Sequence, residues 1–236
     1  SPLLVDLSLS SDYLEITASG NDILFFNSLS NFSKNSSFLN LNGYAIYPLH
    51  QTQLPYFPNQ GFLNANLVTP YLNNQRYDQL ATAIKFNTTH LSLENLTLHK
   101  NDSNLLLSGT LSPDLTSSFD LSINNIDTGI IPYINSVIPQ AFSPFSATIK
   151  KCSTTLTYSK RKGLSGNGHI DLAKVDLKAL SFDSINSAVS FSNHMIVFDS
   201  LNLFKDTSIM NLKGNFNINN PSLSLDIMYP SKFNLS

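Results

Sequence analysis

The sequence predicts a mainly β protein: a long curled antiparallel sheet, shaped as a groove or taco, carrying two short helices. Three observations lead there. Apolar and polar residues alternate with period two along most of the chain. Hydrophobic residues make up 42% of the 236 positions but charged residues only 13%, so Ser, Thr and Asn supply the polarity. A unit of strand, polar turn and glycine-ended strand recurs along the chain. Period-two alternation marks strands that bury one face and wet the other.

Leu3-Leu4-Val5-Asp6-Leu7-Ser8-Leu9 opens the pattern, and Tyr13-Leu14-Glu15-Ile16-Thr17 and Phe38-Leu39-Asn40-Leu41-Asn42 continue it. Leu91 to Leu98, Phe119 to Ile123, His169 to Leu172, Leu201 to Phe204 and Leu223 to Ile227 follow the same rule. Two stretches break it. Thr69-Pro70 reads as a helix cap with a proline in the first turn, and Leu72, Leu80, Ala81 and Ile84 form a short stripe, so a helix is predicted near 70–84. Asp127-Thr128-Gly129 leads into Ile130, Ile131, Ile134, Val137 and Ile138, spaced as one helical face and stopped by Pro139; this predicts a helix over 128–138. His50 to Asn59, with Pro55 and Pro58, reads as a loop. One β-rich domain over 1–236 is expected, less regular over 1–85.

The recurring unit reads Lys34-Asn35-Ser36-Ser37 before Leu39, Leu41 and Gly43; Lys100-Asn101-Asp102-Ser103 before Leu105, Leu107 and Gly109; and Lys205-Asp206-Thr207-Ser208 before Met210, Leu212 and Gly214. Its unequal spacing suits a meander of hairpins with exposed turns better than a strict solenoid. The glycine, on the face of the two preceding apolar residues, lets the sheet bend or another group approach. Shared parity within each strand assigns one apolar face. Leu96, Leu98, Leu105, Leu107 and Leu111 belong to it, as do Leu121, Ile123, Ile170 and Leu172, and finally Leu201, Leu203, Met210, Leu212 and Phe216.

Several function classes are disfavoured. A net charge of −2 and a pI near 6.2 argue against a nucleic-acid module. The lone Cys152 rules out an intrachain disulfide and, among polar neighbours, reads as structural. No apolar run is long enough for a transmembrane helix. The opening Ser1-Pro2-Leu3-Leu4-Val5 reads as a processed or trimmed chain, with any membrane anchor outside it. His50, His90, His99, His169 and His194 show no metal-ligand spacing, Gly163-Leu164-Ser165-Gly166-Asn167 is not a nucleophile elbow, and no carboxylate pair stands out. Neither an enzyme, a cofactor nor a metal site is expected. The cluster Lys160-Arg161-Lys162, with Lys150-Lys151 upstream, reads first as a solvated hairpin turn and second as a contact for anionic lipid head groups.

Gly166 to Leu172, Phe182 to Phe191, Ile196 to Leu203, Leu212 to Ile218 and Pro221 to Ile227 form an order of motifs that resembles the AsmA-like family of Gram-negative envelope proteins, which includes the TamB-like proteins. Phe119 to Asp127 is also similar, and the AsmA-like repeat region covers 90–230; Asn193-His194 stands where the family often has an Asn-Gly turn. The resemblance implies a segment of a longer, inner-membrane-anchored periplasmic protein. It implies further that the sheet carries phospholipid acyl chains in bridge-like lipid transport and supports outer-membrane biogenesis and homeostasis, with other envelope proteins as further partners. Two rival readings are a structural or adhesive β module of a secreted surface protein, and a factor assisting outer-membrane protein assembly through its sheet edges.

Overall fold

The computed structural model describes residues 2–25, 37–50, 58–72, 75–130, 144–178, 180–217, 219–220 and 222–232. Its strands are β1 (Leu4–Leu9), β2 (Tyr13–Phe25), β3 (Ser37–Pro48), β4 (Gln60–Val68), β5 (Tyr71–Leu72), β6 (Gln75–Arg76), β7 (Gln79–Asn87), β8 (Leu91–Lys100), β9 (Ser103–Leu111), β10 (Ser117–Asp127), β11 (Phe145–Ser159), β12 (Gly163–Leu177), β13 (Leu180–Ser192), β14 (Met195–Lys205), β15 (Ser208–Asn217) and β16 (Ser222–Lys232). Fourteen of them join in chain order into one open sheet, and β5 and β6 form a small separate hairpin. The chain divides into two compact units, Ser1–Asp120 and Leu121–Ser236.

Neither predicted helix is found among the described residues. The stretch near 70–84 is the β5–β6 hairpin followed by β7. The backbone N–H of Tyr77 donates to the carbonyl of Pro70 at 2.8 Å, and that of Thr69 to Asp78 at 3.0 Å, so the chain closes a short antiparallel excursion where a helix was expected. Leu80, Thr82, Ile84 and Phe86 alternate as a strand, and β7 pairs on both sides, with β4 and with β8. Two flanking strands give this segment ladder partners on both sides, a gain that outweighs an imperfect helical stripe. Of the stretch 128–138, only a 3₁₀ turn at Thr128–Ile130 is described. Asp127 accepts the Gly129 N–H at 2.8 Å and Thr128, 1% exposed, accepts the Ala147 N–H through Oγ1 at 2.9 Å. The apolar positions Ile131 to Ile138 lie outside the described residues.

Two of the three recurring units are true structural copies, one within each compact unit. Residues 77–111 and 182–216 share register position by position, at the constant offset that separates Gly109 from Gly214. β7 and β8 slip between Ala83 and Ile84, and β13 and β14 slip at the matching Ala188 and Val189. β8 and β9 slip between Leu93 and Leu96, and β14 and β15 between Phe198 and Leu201. A bulge takes a carbonyl out of the ladder. In both copies a hydroxyl from the neighbouring strand reaches it: Thr82 Oγ1 donates to Asn95 O at 3.1 Å and Ser187 Oγ to Ser200 O at 2.8 Å.

The turns are copied as well. Asn101 and Asp206 take φ of 48° and 51°, a left-handed conformation that Asn and Asp tolerate. Their N–H groups donate to Asp78 and Asp183, each at 2.7 Å. A buried aromatic residue precedes each aspartate, Tyr77 or Phe182, and Lys100 lies 5.6 Å over the Tyr77 ring. At Gly109 a methyl group would overlap the carbonyl oxygen of Ser118, and at Gly214 that of Ser224. Residues 34–36 of the first recurring unit lie outside the described residues. Its strands slip two pairs nearer the turn, because Gly43 pairs with Ala18 and the shift falls after Leu41 and Gly20.

Asp78→Ala and Asp183→Ala each remove one charge-assisted hydrogen bond to a turn, so each lowers stability by about 1 kcal/mol. Gly109→Ala and Gly214→Ala force backbone apart and cost more than about 2 kcal/mol each. Urea denaturation of the four variants checks that the effects come in matched pairs.

Candidate functional site

Pairing partners across a sheet share a face, so the registers assemble the apolar face row by row. In the first unit, Leu39, Leu67, Leu80, Leu98 and Leu105 form one row across five strands. Leu41, Ala65, Thr82, Leu96 and Leu107 form the next. Then come Val5, Ala18, Gly43, Leu63, Ile84, Leu93 and Gly109, and finally Leu7, Ile16, Ala45, Gly61, Phe86, Leu91 and Leu111. The two-residue step from Leu91 to Leu93 and from Leu96 to Leu98 is interrupted by a three-residue step from Leu93 to Leu96. The bulge absorbs the extra residue, and all four leucines stay on one side.

In the second unit Ile170, Ser187, Leu201, Leu212 and Ile227 form a row across β12 to β16, and Leu172, Ile185, Leu203 and Met210 run beside it. Gly166, Phe191, Ile196, Phe216 and Leu223 form another. Leu121 and Ile123 follow Phe119 at steps of two on β10, and a methyl at Gly109 would meet the Phe119 ring. Beyond Leu172 the β12 chain turns through Lys174, at φ 51°, and Val175 comes round to pack with Phe182, Ile185 and Ala147 in one cluster.

All fourteen residues assigned to the apolar face from sequence therefore lie in such rows or on their parity. The reading missed Leu80 and Ile84 of β7, because a helix was expected there, and left Leu63 and Leu67 of β4 and Phe86 of β7 unassigned. It also missed Phe191, Ile196 and Phe198, whose alternation with Ser190, Val197 and Asp199 was in plain view.

Burial of this face is partial. Of the fourteen, only Ile123 (9%) and Leu212 (6%) are buried; the other twelve are half-buried. Among the described residues of the first unit, Tyr77 is the buried hydrophobic residue; all the leucines of β8 and β9 except the exposed Leu106 are half-buried. The substantial contacts between described elements join hydrogen-bonded neighbours, apart from the 3₁₀ turn against β11.

The opposite face is polar and uncharged over long stretches. Asn40 pairs with Asn66 and Asn42 with Asn64, and Gln79 Nε2 donates to Asn66 Oδ1 at 2.9 Å. Lys85 and Glu94 form an ion pair. In the second unit His169 Nε2 lies 2.9 Å from Asp171 Oδ1 and 3.2 Å from Asn186 Nδ2. Among the described residues no three His, Cys, Asp or Glu side chains are grouped to hold a metal ion, and no helix is long and apolar enough to cross a membrane.

Lys160, Arg161 and Lys162 are exposed in the β11–β12 turn, where Lys162 N–H donates to Ser159 Oγ at 3.1 Å and Gly163 takes φ 70°. Lys150 instead donates to Asn125 Oδ1 at 3.1 Å. Cys152 sits half-buried on the apolar face opposite Ile170, and burial pushes its thiol pKa up. No family model, no curated protein and no solved structure matches this chain.

The raised thiol pKa keeps Cys152 protonated at pH 8, so iodoacetamide should label the native chain much more slowly than the urea-unfolded chain, with the gap narrowing above pH 9. Leu107→Asp and Leu212→Asp should separate in thermal denaturation. The half-buried site can turn a carboxylate to water, whereas Leu212→Asp strands it and costs about 3 kcal/mol or more.

Proposed function

We propose that this chain is a non-enzymatic lipid-binding or lipid-conducting module of the cell envelope, whose apolar face takes phospholipid acyl chains. The observation that carries the reading is the set of continuous leucine, isoleucine and phenylalanine rows that remain half-buried. An acyl chain laid along such a row removes surface from water on both partners, at about 0.8 kcal/mol per buried methylene, with no directional contact to hold it in place. A face whose hydroxyls are turned to main-chain carbonyls offers no deep trap, which suits movement of the chain along it. The two hydroxyls on the rows, Thr82 and Ser187, are turned to main-chain carbonyls, so they add no polar obstacle.

On this reading the protein works in the periplasm, tethered at the inner membrane, and supports phospholipid transport and outer-membrane homeostasis. It needs no cofactor and takes no nucleic acid. Phospholipid is its partner, together with other envelope proteins. The buried cluster of Ala147, Val175, Phe182 and Ile185 favours a different role for that end of the second unit: an ordinary packed core that anchors the sheet.

The test is lipid extraction and mass spectrometry of the chain purified from cells, with a photoreactive residue at 107 or 212. Phospholipid in stoichiometric amount, crosslinked at 107 and lost in a folded Leu107→Asp variant, supports the reading. A folded, lipid-free parent chain without crosslinks overturns it and favours a structural or adhesive module.

A further inference from the structure

We propose that one end of the second unit, the end at which β11, β13 and β15 turn back, docks onto the surface of an anionic bilayer. The proposal extends the lipid-binding reading but rests on separate residues. Antiparallel order sends three turns to this end: 160–162 between β11 and β12, 193–194 between β13 and β14, and 219–220 between β15 and β16. The first two are joined directly, since Asn193 N–H donates to the carbonyl of Leu164 at 2.7 Å.

The charges within these three turns are of one sign. Lys160, Arg161 and Lys162 are exposed, with His194 also exposed on the adjacent turn. No carboxylate stands among residues 158–165, 192–195 or 217–223. The opposite end of the same unit is mixed: exposed Lys174, Lys178 and Lys205 alternate with exposed Asp176, Asp183 and Asp206. A chain of net charge −2 therefore gathers three consecutive cations in one exposed turn.

The same end exposes apolar side chains. Tyr158 (43%) and Leu164 (45%) pair directly beneath the cationic turn, and Met195 (37%) and Leu223 (42%) stand near the starts of β14 and β16, just after the other two turns. Cations at the tip and Tyr and Leu just behind them match the layering of a bilayer surface, where lipid phosphates lie outside the apolar boundary that Tyr favours. A polyanion such as nucleic acid would use the cations but give Leu164 and Leu223 no apolar partner. Tyr158 and Leu164 continue the parity of Leu156 and Gly166, so the apolar face runs out to the docked end.

The experiment is flotation of the full chain with vesicles of phosphatidylcholine alone or of phosphatidylcholine with phosphatidylglycerol. Binding is expected only to the anionic vesicles and should weaken as salt rises. Each cation removed should cost about fivefold in affinity, so Lys160→Ser/Arg161→Ser/Lys162→Ser together lose about a hundredfold. Leu164→Ser should weaken binding while leaving its salt dependence. Lys174→Ser/Lys178→Ser, at the mixed end, should bind as the parent does.

Equal binding to neutral vesicles, no binding at all, or equal loss from the two sets of lysine variants overturns the proposal. So does a parent chain that binds an oligonucleotide more tightly than the vesicles. Leu107→Asp separates the two ideas. If it loses extracted lipid but still floats, both readings stand. If the parent carries no lipid yet floats on anionic vesicles, the docking end stands without the acyl-binding face.

Discussion

Main-chain hydrogen bonding between consecutive strands is the interaction on which this structure depends. Each unit is held together mostly by ladders between neighbours in the sequence, and among the described residues one small buried cluster, around Val175 and Phe182, resembles a conventional core. A ladder satisfies every main-chain donor and acceptor inside the sheet, but it covers a side chain only from its flanks. A sheet built this way keeps one apolar face partly open to whatever can cover it. The half-buried leucines and the uncharged polar opposite face are two consequences of the same arrangement.

Keeping that face continuous requires strict control of parity, because a slip of one residue sends every side chain of a strand to the other side. The bulges at Leu93–Leu96 and Phe198–Leu201 are where parity would fail. In each case the neighbouring strand supplies a hydroxyl to the displaced carbonyl, and glycine on the next strand leaves room for the strand beyond. Such matched detail identifies 77–111 and 182–216 as copies of one design. A carboxylate below each turn, Asp78 or Asp183, fixes the left-handed residue that closes it. Stability of such an array is a sum of neighbour terms, and local lesions act locally.

The chemistry of the molecule follows from its uncharged character. With charges sparse along the strands, the apolar face has no competing polar sites, and the few cations concentrate at turns. Lys160, Arg161 and Lys162 stand apart from the other lysines because three cations follow one another in a single exposed turn that holds no carboxylate. Lys85 is paired with Glu94, and Lys150 is taken up by Asn125.

Much of this was legible in the sequence. Period-two alternation is a direct image of the pleat, so the strand class and the side on which Leu96, Leu107, Leu201 and Leu212 stand follow from the order of residues alone. The recurrence of Lys-x-x-Ser before a glycine-ended strand likewise announced the hairpins. Tertiary structure alone decided three things. It made 79–87 a strand, because β4 and β8 offer partners on both sides and a local helical stripe cannot compete with two ladders. It separated two true copies from a looser relative, because register depends on where a bulge falls between two strands and no single strand encodes that. And it set how open the apolar face is: alternation tells which side is apolar, whereas burial depends on what packs above it, a contact between distant parts of the chain that local pattern does not record.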